Sequence, residues 1–170
     1  MALIGEIIAR ATKMPLDEFA KTALFAPLGI TQVEWLKDDK NVPYAASGLR
    51  LLPRDMMKLG LLMLHHGKVG ARQIVPEVWA KASVTSQTVV GRESACGFHY
   101  GYFWWLVPRC EASNDPGWFA AIGNGGQRIF VVPERDLVIV VTAGLYNDPR
   151  QRTVRRITQS VLAAIPGAGP

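Results

Sequence analysis

The stretch Trp118-Phe-Ala-Ala-Ile-Gly-Asn-Gly-Gly-Gln-Arg-Ile-Phe-Val-Val-Pro-Glu134 leaves this chain little freedom. It reads as an apolar strand, a glycine-rich turn and a second apolar strand, followed by a third strand from Leu137 to Thr142. The last two strands are joined by Pro133-Glu-Arg-Asp136, a connection so short that the pair must be antiparallel. A strand follows the glycines where a dinucleotide fingerprint would require a helix, so that fingerprint is excluded. A turn of this kind sets backbone N–H groups at the edge of a sheet, where a reacting carbonyl can sit. Chemistry there would also need an activated nucleophile. The sequence contains no Ser-x-x-Lys, no Tyr-x-Asn and no Lys-Thr-Gly.

Ahead of these strands the period is helical. Leu3, Ile4, Ile7, Ile8 and Ala11 recur on one face, with Glu6, Arg10 and Lys13 opposite, which predicts a helix starting almost at Met1 without a capping residue. Pro15 breaks it, Leu16 to Phe25 forms a second short helix, and Pro27-Leu-Gly29 stops that one. Thr31 to Tyr44 is polar, with Asp38 and Asp39 between Lys37 and Lys40, and reads as a surface loop. Pro53 opens a helix from Arg54 to His65 that is apolar nearly all round, which predicts burial. Gly67 ends it, Gly70 shapes the next turn, and Pro76 begins a short helix to about Ala82. From Gly97 the period changes. Tyr100 to Val107 reads as one aromatic strand, the first of four candidates with 118–122, 128–132 and 137–143. Val154, Ile157, Val161 and Ile165 trace one face of a closing helix. The expected fold class is α+β in a single domain over 1–170. It has a mainly helical region over 1–96, antiparallel strands with a covering helix over 97–165, and a Pro/Gly tail over 166–170.

A chain of 170 residues can bury one real core and hardly two, and 49% apolar residues exclude a disordered chain. The net charge of +5 is dispersed. Its densest cluster, Arg150, Arg152, Arg155 and Arg156, reads as the solvated face of the terminal helix, while the aromatics gather at Tyr100 to Trp105; no nucleic-acid partner is expected. Cys96 and Cys110 flank the aromatic strand without ligand-spaced histidines, so no metal site is expected. They could pair only across a hairpin, and two free thiols are the expectation. His65 and His66 read as a helix end, His99 as structural, and Asp55 as a first-turn carboxylate favoured by the helix dipole. Glu6 and Arg10 interrupt any signal-peptide core, and no apolar run approaches a membrane span, so a cytoplasmic chain is expected.

Four pieces of the sequence carry a resemblance. MPLDEFAKTALFAPLGI, SGLRLLPRDMMKLGLLMLHHGKVGARQIVPEVW (Ser47 to Trp79), YGYFWWLVP and GNGGQRIFVVPERDLVIVV resemble, in order and spacing, segments of the class C β-lactamase and penicillin-binding-protein-like serine hydrolases, on their esterase-like branch. The resemblance implies acyl transfer. A Ser in Ser-x-x-Lys attacks an ester, amide or β-lactam carbonyl, the Lys and a Tyr from Tyr-x-Asn handle the proton, and backbone N–H groups hold the oxyanion. Both motifs would lie upstream of Met1. The expectation is therefore a partial β-lactamase/transpeptidase-like fold: the C-terminal part of such a hydrolase, inactive alone and without a cofactor. It would meet a small-molecule ester or amide substrate only in the complete enzyme. The family's third motif, Lys-Thr-Gly or His-Thr-Gly, should map onto Ala121-Ile122-Gly123, where only the glycine matches. The missing cation argues against recognition of a β-lactam carboxylate.

The chain itself then holds no catalytic residue of the family, but it does hold candidates for the oxyanion and substrate edge: Gly123, Asn124, Gly125 and Gln127. The glycines leave room for a substrate, with the Asn124 N–H as donor; the plainer alternative is a glycine-rich bulge between strands. Gln127 either orients the turn through its amide or simply begins the next strand. Tyr102, Trp104 and Trp105 are candidates for a pocket wall. The two tryptophans must face opposite sides of their strand, so one belongs to the core and the other is free to line an acyl pocket. The competing reading is a non-catalytic interaction module that self-associates through a sheet face left bare by the missing half.

Overall fold

The computed structural model describes residues 2–91, 94–112 and 116–165, and the chain packs as two units, 1–55 and 56–170.

In the first unit, α1 (Ala2–Thr12) ends where Lys13 takes a left-handed conformation ahead of Pro15. Then α2 (Leu16–Ala20) runs without a break into a π-helical turn, Lys21–Phe25, so the expected Leu16–Phe25 helix is one continuous segment. It buries Phe25, and Leu28 and Ile30 are buried just beyond it. The Thr31–Tyr44 region is not wholly a loop: β1 (Val33–Trp35) pairs antiparallel with β2 (Leu49–Leu51), Glu34 facing Arg50. Its polar sequence hides a strand whose partner lies well along the chain. Trp35 Nε1 donates to the Tyr44 and Ser47 carbonyls and folds the intervening loop back onto the pair. Asp17 is bonded to Lys37 Nζ at 2.7 Å. Burial works to raise the Asp17 pKa, but the Lys37 hydrogen bond and charge, with nearby backbone N–H groups, hold the carboxyl below its ordinary range.

The second unit begins within the first turn of α3 (Pro53–Leu64). It continues through the small hairpin β3 (Lys68–Val69) and β4 (Arg72–Gln73) and the short helix α4 (Glu77–Ser83). There follow β5 (Thr88–Gly91), β6 (Phe98–Tyr100), β7 (Trp105–Val107), β8 (Trp118–Ile122), β9 (Arg128–Val132) and β10 (Leu137–Val141), and last α5 (Val154–Ala164). The six strands form one antiparallel sheet in the order β10-β9-β8-β7-β6-β5. The 133–136 connection is a 3-10 turn closed by Asp136 in the left-handed region.

Alternation explains the core. Along β9, Ile129 and Val131 point to one face, where they meet Leu106, Phe119 and the α3 residues Met56, Leu59, Met63 and Leu64. Phe130 and Val132 point to the other, with Ala120, Trp118, Ile122 and Leu162 of α5. A strand covered on both faces reads as an unbroken apolar run, as Ile-Phe-Val-Val does. Gly60 lets α3 approach closely: a Cβ there would lie 2.5 Å from Val138 Cγ1 and 2.8 Å from Ile129 Cγ2.

Three expectations need correction. The aromatic run Tyr100–Val107 is not one strand but parts of β6 and β7, with a turn over 101–104 in which Phe103 sits at φ +65°. That hairpin brings Cys96 and Cys110 opposite one another, 5.5 Å apart at Cα, and they form a disulfide where free thiols were expected. Finally, α3 is not buried all round. Leu62 and Leu64 are buried, whereas Met57 and Leu61 are exposed. No helix among the described residues is long and apolar enough to cross a membrane.

Candidate functional site

Three connections share one end of the six-stranded sheet. The register pairs Ile122 with Arg128 and Arg128 with Val141, so β8 and β10 end at the same end of the sheet, on either side of the start of β9. The turn 123–127 and the loop that leaves β10 therefore emerge together. Trp105 pairs with Ala120, so the β6–β7 turn, with Tyr102 and Trp104, opens at the same end.

The glycine-rich turn is fixed from inside and from its flank. Gly123 N–H donates to the Gln127 carbonyl at 2.9 Å, and Gly126 N–H to the Gly123 carbonyl at 3.2 Å. Gly125 and Gly126 take φ +110° and +91°, a region closed to most side chains. Gly125 then forms a bridge with Leu145, whose N–H donates to the Gly125 carbonyl, and the Gly125 N–H donates to Gln151 Oε1. Among the described residues the backbone N–H of Asn124 donates to no group, and it stands on the exposed outer rim of the turn.

Side chains complete the scaffold. Gln127 Nε2 donates to the Ala143 carbonyl and to the Tyr146 hydroxyl, both at 2.9 Å, so its amide ties the turn to the loop after β10. Asn124 and Asn147 are doubly linked: Asn124 Nδ2 donates to Asn147 Oδ1, and Asn147 N–H to Asn124 Oδ1. The Tyr146 ring lies over Gly125, where a Cβ would come within 2.9 Å of it. At the foot of the loop, the Asp148 carboxyl is held below its ordinary range, first by the Arg150 side chain and then by the Arg150 backbone N–H. Gly123, Asn124, Gly125 and Gln127 thus sit in one braced turn.

The aromatic candidates are spread more widely. Trp104 packs edge-on against Phe119 on the α3 face, and Trp105 stacks on Phe98 on the opposite face; the two tryptophans do point apart, and each has an aromatic partner. Tyr102 stacks on Trp79 of α4, with centroids 5.2 Å apart. Tyr146, Asn147 and Gln151 escaped the sequence reading. The one local signal for them is the Asn147-Asp148-Pro149 turn chemistry, which marks a loop without saying what the loop touches. Among the described residues no cluster of His, Cys, Asp or Glu could hold a metal ion.

Comparison with known proteins extends this picture. The family model described as Beta-lactamase matches residues 1–163. A 6-aminohexanoate-dimer hydrolase of Paenarthrobacter ureafaciens is 24% identical over 167 residues, which cover 94% of this chain and 41% of that protein. Among solved structures, a Bacillus anthracis protein provisionally named a 6-aminohexanoate-dimer hydrolase matches with a TM-score of 0.77 at 22% identity, over 94% of this chain and 40% of its own. The octameric penicillin-binding protein homologue of Pyrococcus abyssi matches with a TM-score of 0.73 at 19% identity, over 95% and 40%. At these identities the solved structures speak for the fold: a partial β-lactamase/penicillin-binding-protein-like α+β fold. The chain spans about 40% of the length of these relatives.

Proposed function

The chain belongs to the β-lactamase family, and from that premise we propose that it supplies the oxyanion and substrate edge of a serine acyl-transfer site acting on small esters or amides. One observation carries the reading: a turn braced at Gly123, Gly125 and Gln127 leaves the Asn124 N–H, at the sheet end, with no acceptor among the described residues. A donor held still before the reaction costs no reorganisation when negative charge develops on a carbonyl oxygen. The Ser-x-x-Lys and Tyr-x-Asn residues would come from another segment of the complete enzyme, and without them this edge has no nucleophile to serve. The Ala121-Ile122-Gly123 segment offers no cation for a β-lactam carboxylate, so a small ester or amide is the favoured substrate class, and the Paenarthrobacter relative is named as a hydrolase of the 6-aminohexanoate dimer.

The test is to compare the isolated chain with a version extended upstream through both motifs, using p-nitrophenyl esters and the 6-aminohexanoate dimer. The extended protein should turn over the dimer and the isolated chain should not; any ester turnover by the isolated chain should be indifferent to Asn124→Pro. In the extended protein Asn124→Pro, which removes the N–H, should lower kcat by about 10²–10³-fold, while Asn124→Ala, which keeps it, should change kcat far less. Equal rates for the two variants would exclude the Asn124 N–H as the donor. Self-association is a second reading. It is favoured by the edge strand β5, with Val89 and Val90 exposed, and by the octameric state of the Pyrococcus homologue. Light scattering across a dilution series decides it.

A further inference from the structure

We propose that Ser86 and His99 form a second, acyl-accepting site, independent of the glycine-rich turn. Ser86 Oγ lies 2.7 Å from His99 Nδ1, and His99 Nε2 lies 3.3 Å from the Cys96 carbonyl oxygen. A carbonyl can only accept, so in the neutral imidazole the one ring hydrogen resides on Nε2. The lone pair on Nδ1 then faces Ser86, whose hydroxyl donates to it. This is the order nucleophile, base, orienting acceptor that activates a serine.

The orienting acceptor is itself built in. Cys96 is bonded to Cys110, and the turn before His99 is closed by Gly97 N–H donating to the Ser94 carbonyl and Ser94 Oγ donating to the Gly97 carbonyl. Gly97 sits at φ +79°, and a Cβ there would lie 2.8 Å from His99 Nε2, so only glycine leaves the imidazole its place. Both side chains line a cavity of about 300 Å³ that none of residues 123–127 reaches. Its wall includes Leu64, Leu106 and Phe119 from the apolar core, which suits an apolar acyl group, and Arg109 and His66 as the groups able to donate to a developing oxyanion. In the reaction Ser86 Oγ bonds to the acyl carbon and its proton passes to His99 Nδ1. The leaving alcohol departs with that proton, and water later releases the acyl group by the same relay. A fluorophosphonate reports the first step alone: an O–P bond forms, the P–F bond breaks, and fluoride leaves with the proton.

The alternative is a cross-strand pin, in which the pair merely fastens the entry of β5 to β6. Labelling of the intact chain with an alkyl fluorophosphonate, read by intact mass and peptide mapping, separates the two. The site predicts one adduct, on the peptide containing Ser86. Ser86→Ala should abolish it, and His99→Gln should slow it by about 100-fold or more with an unchanged circular dichroism spectrum. Asn124→Pro should leave it unaltered, which keeps this result apart from the fate of the oxyanion-edge reading. Absence of an adduct, an adduct on another residue, or labelling indifferent to His99→Gln would each overturn the proposal.

Discussion

The two halves of the six-stranded sheet are held in different ways. β8, β9 and β10 are each five residues long, pair in unbroken register, and bury side chains on both faces under α3 and α5. β5, β6 and β7 are three or four residues long, with a register shift between Val89 and Gly91. They are held by point devices instead: a disulfide, stacked rings, and the Gly101–Trp104 turn whose Tyr102 N–H donates to the Ser83 carbonyl. Burial spread over a whole strand tolerates the loss of any one polar contact. Point devices do not, and they leave more of the surface open to ligands. Both sites proposed above draw on this contrast: the glycine-rich turn stands at the rim of the buried half, and the Ser86–His99 pair sits in the stapled half.

The largest expected effect tests the buried half. Phe130 is almost fully covered and meets the Trp118 ring at a centroid distance of 4.5 Å. Phe130→Ala should cost about 3–5 kcal/mol and lower the urea midpoint as a single cooperative transition. Two separated transitions would mean that β8–β10 is not the common core. Next is the staple. Cys96→Ser with Cys110→Ser removes a cross-link between residues 14 apart and should cost at most about 3 kcal/mol. Hydrogen exchange should rise first in β6 and β7 and leave β9 protected. Equal loss of protection in β9 would erase the distinction between the halves.

The same contrast explains what the sequence disclosed. The strands 118–122 and 128–132 are legible to the residue because double-sided burial demands an unbroken apolar run. β5 is four residues, Thr-Val-Val-Gly, largely exposed at a sheet edge, and leaves no such trace. The β6–β7 hairpin was invisible for a different reason. Its turn is made of Tyr102 and Phe103 where Asn or Gly would be the usual signal; Phe103 takes positive φ there, and the neighbouring Tyr102 N–H is held by the Ser83 carbonyl, far back along the chain. With the turn hidden, the disulfide was hidden too. Of the glycine-rich turn, Gly123 to Gln127 could be picked out locally. Its braces at Ala143, Tyr146, Asn147 and Gln151 meet it across 16 to 26 residues and carry no local pattern.

Smaller effects sharpen the comparison at single contacts. Trp79 is about half exposed and stacked on Tyr102 at an interplanar angle of 9°. Trp79→Ala should cost about 0.5–1.5 kcal/mol beyond the area it uncovers, and should loosen the 101–104 turn without moving β8–β10. Loss of the whole near-ultraviolet spectrum would show that the stack belongs to the common core.

The smallest expected effect joins the halves. Arg109 follows β7, Glu134 lies in the 3-10 turn between β9 and β10, and the Arg109 Nη1 to Glu134 Oε2 distance is 2.7 Å. Both side chains reach water, so solvent and salt screen the attraction and ordering two long side chains offsets much of it. Glu134→Gln should therefore cost about 0.2–1 kcal/mol at low ionic strength, and the difference from the parent chain should vanish near ~1 M salt. A loss above about 2 kcal/mol, or one that salt leaves untouched, would mean that this ion pair is desolvated on folding. The two halves would then be fastened at their corner by a buried charge, and the stapled half would owe its position to electrostatics as much as to the cystine.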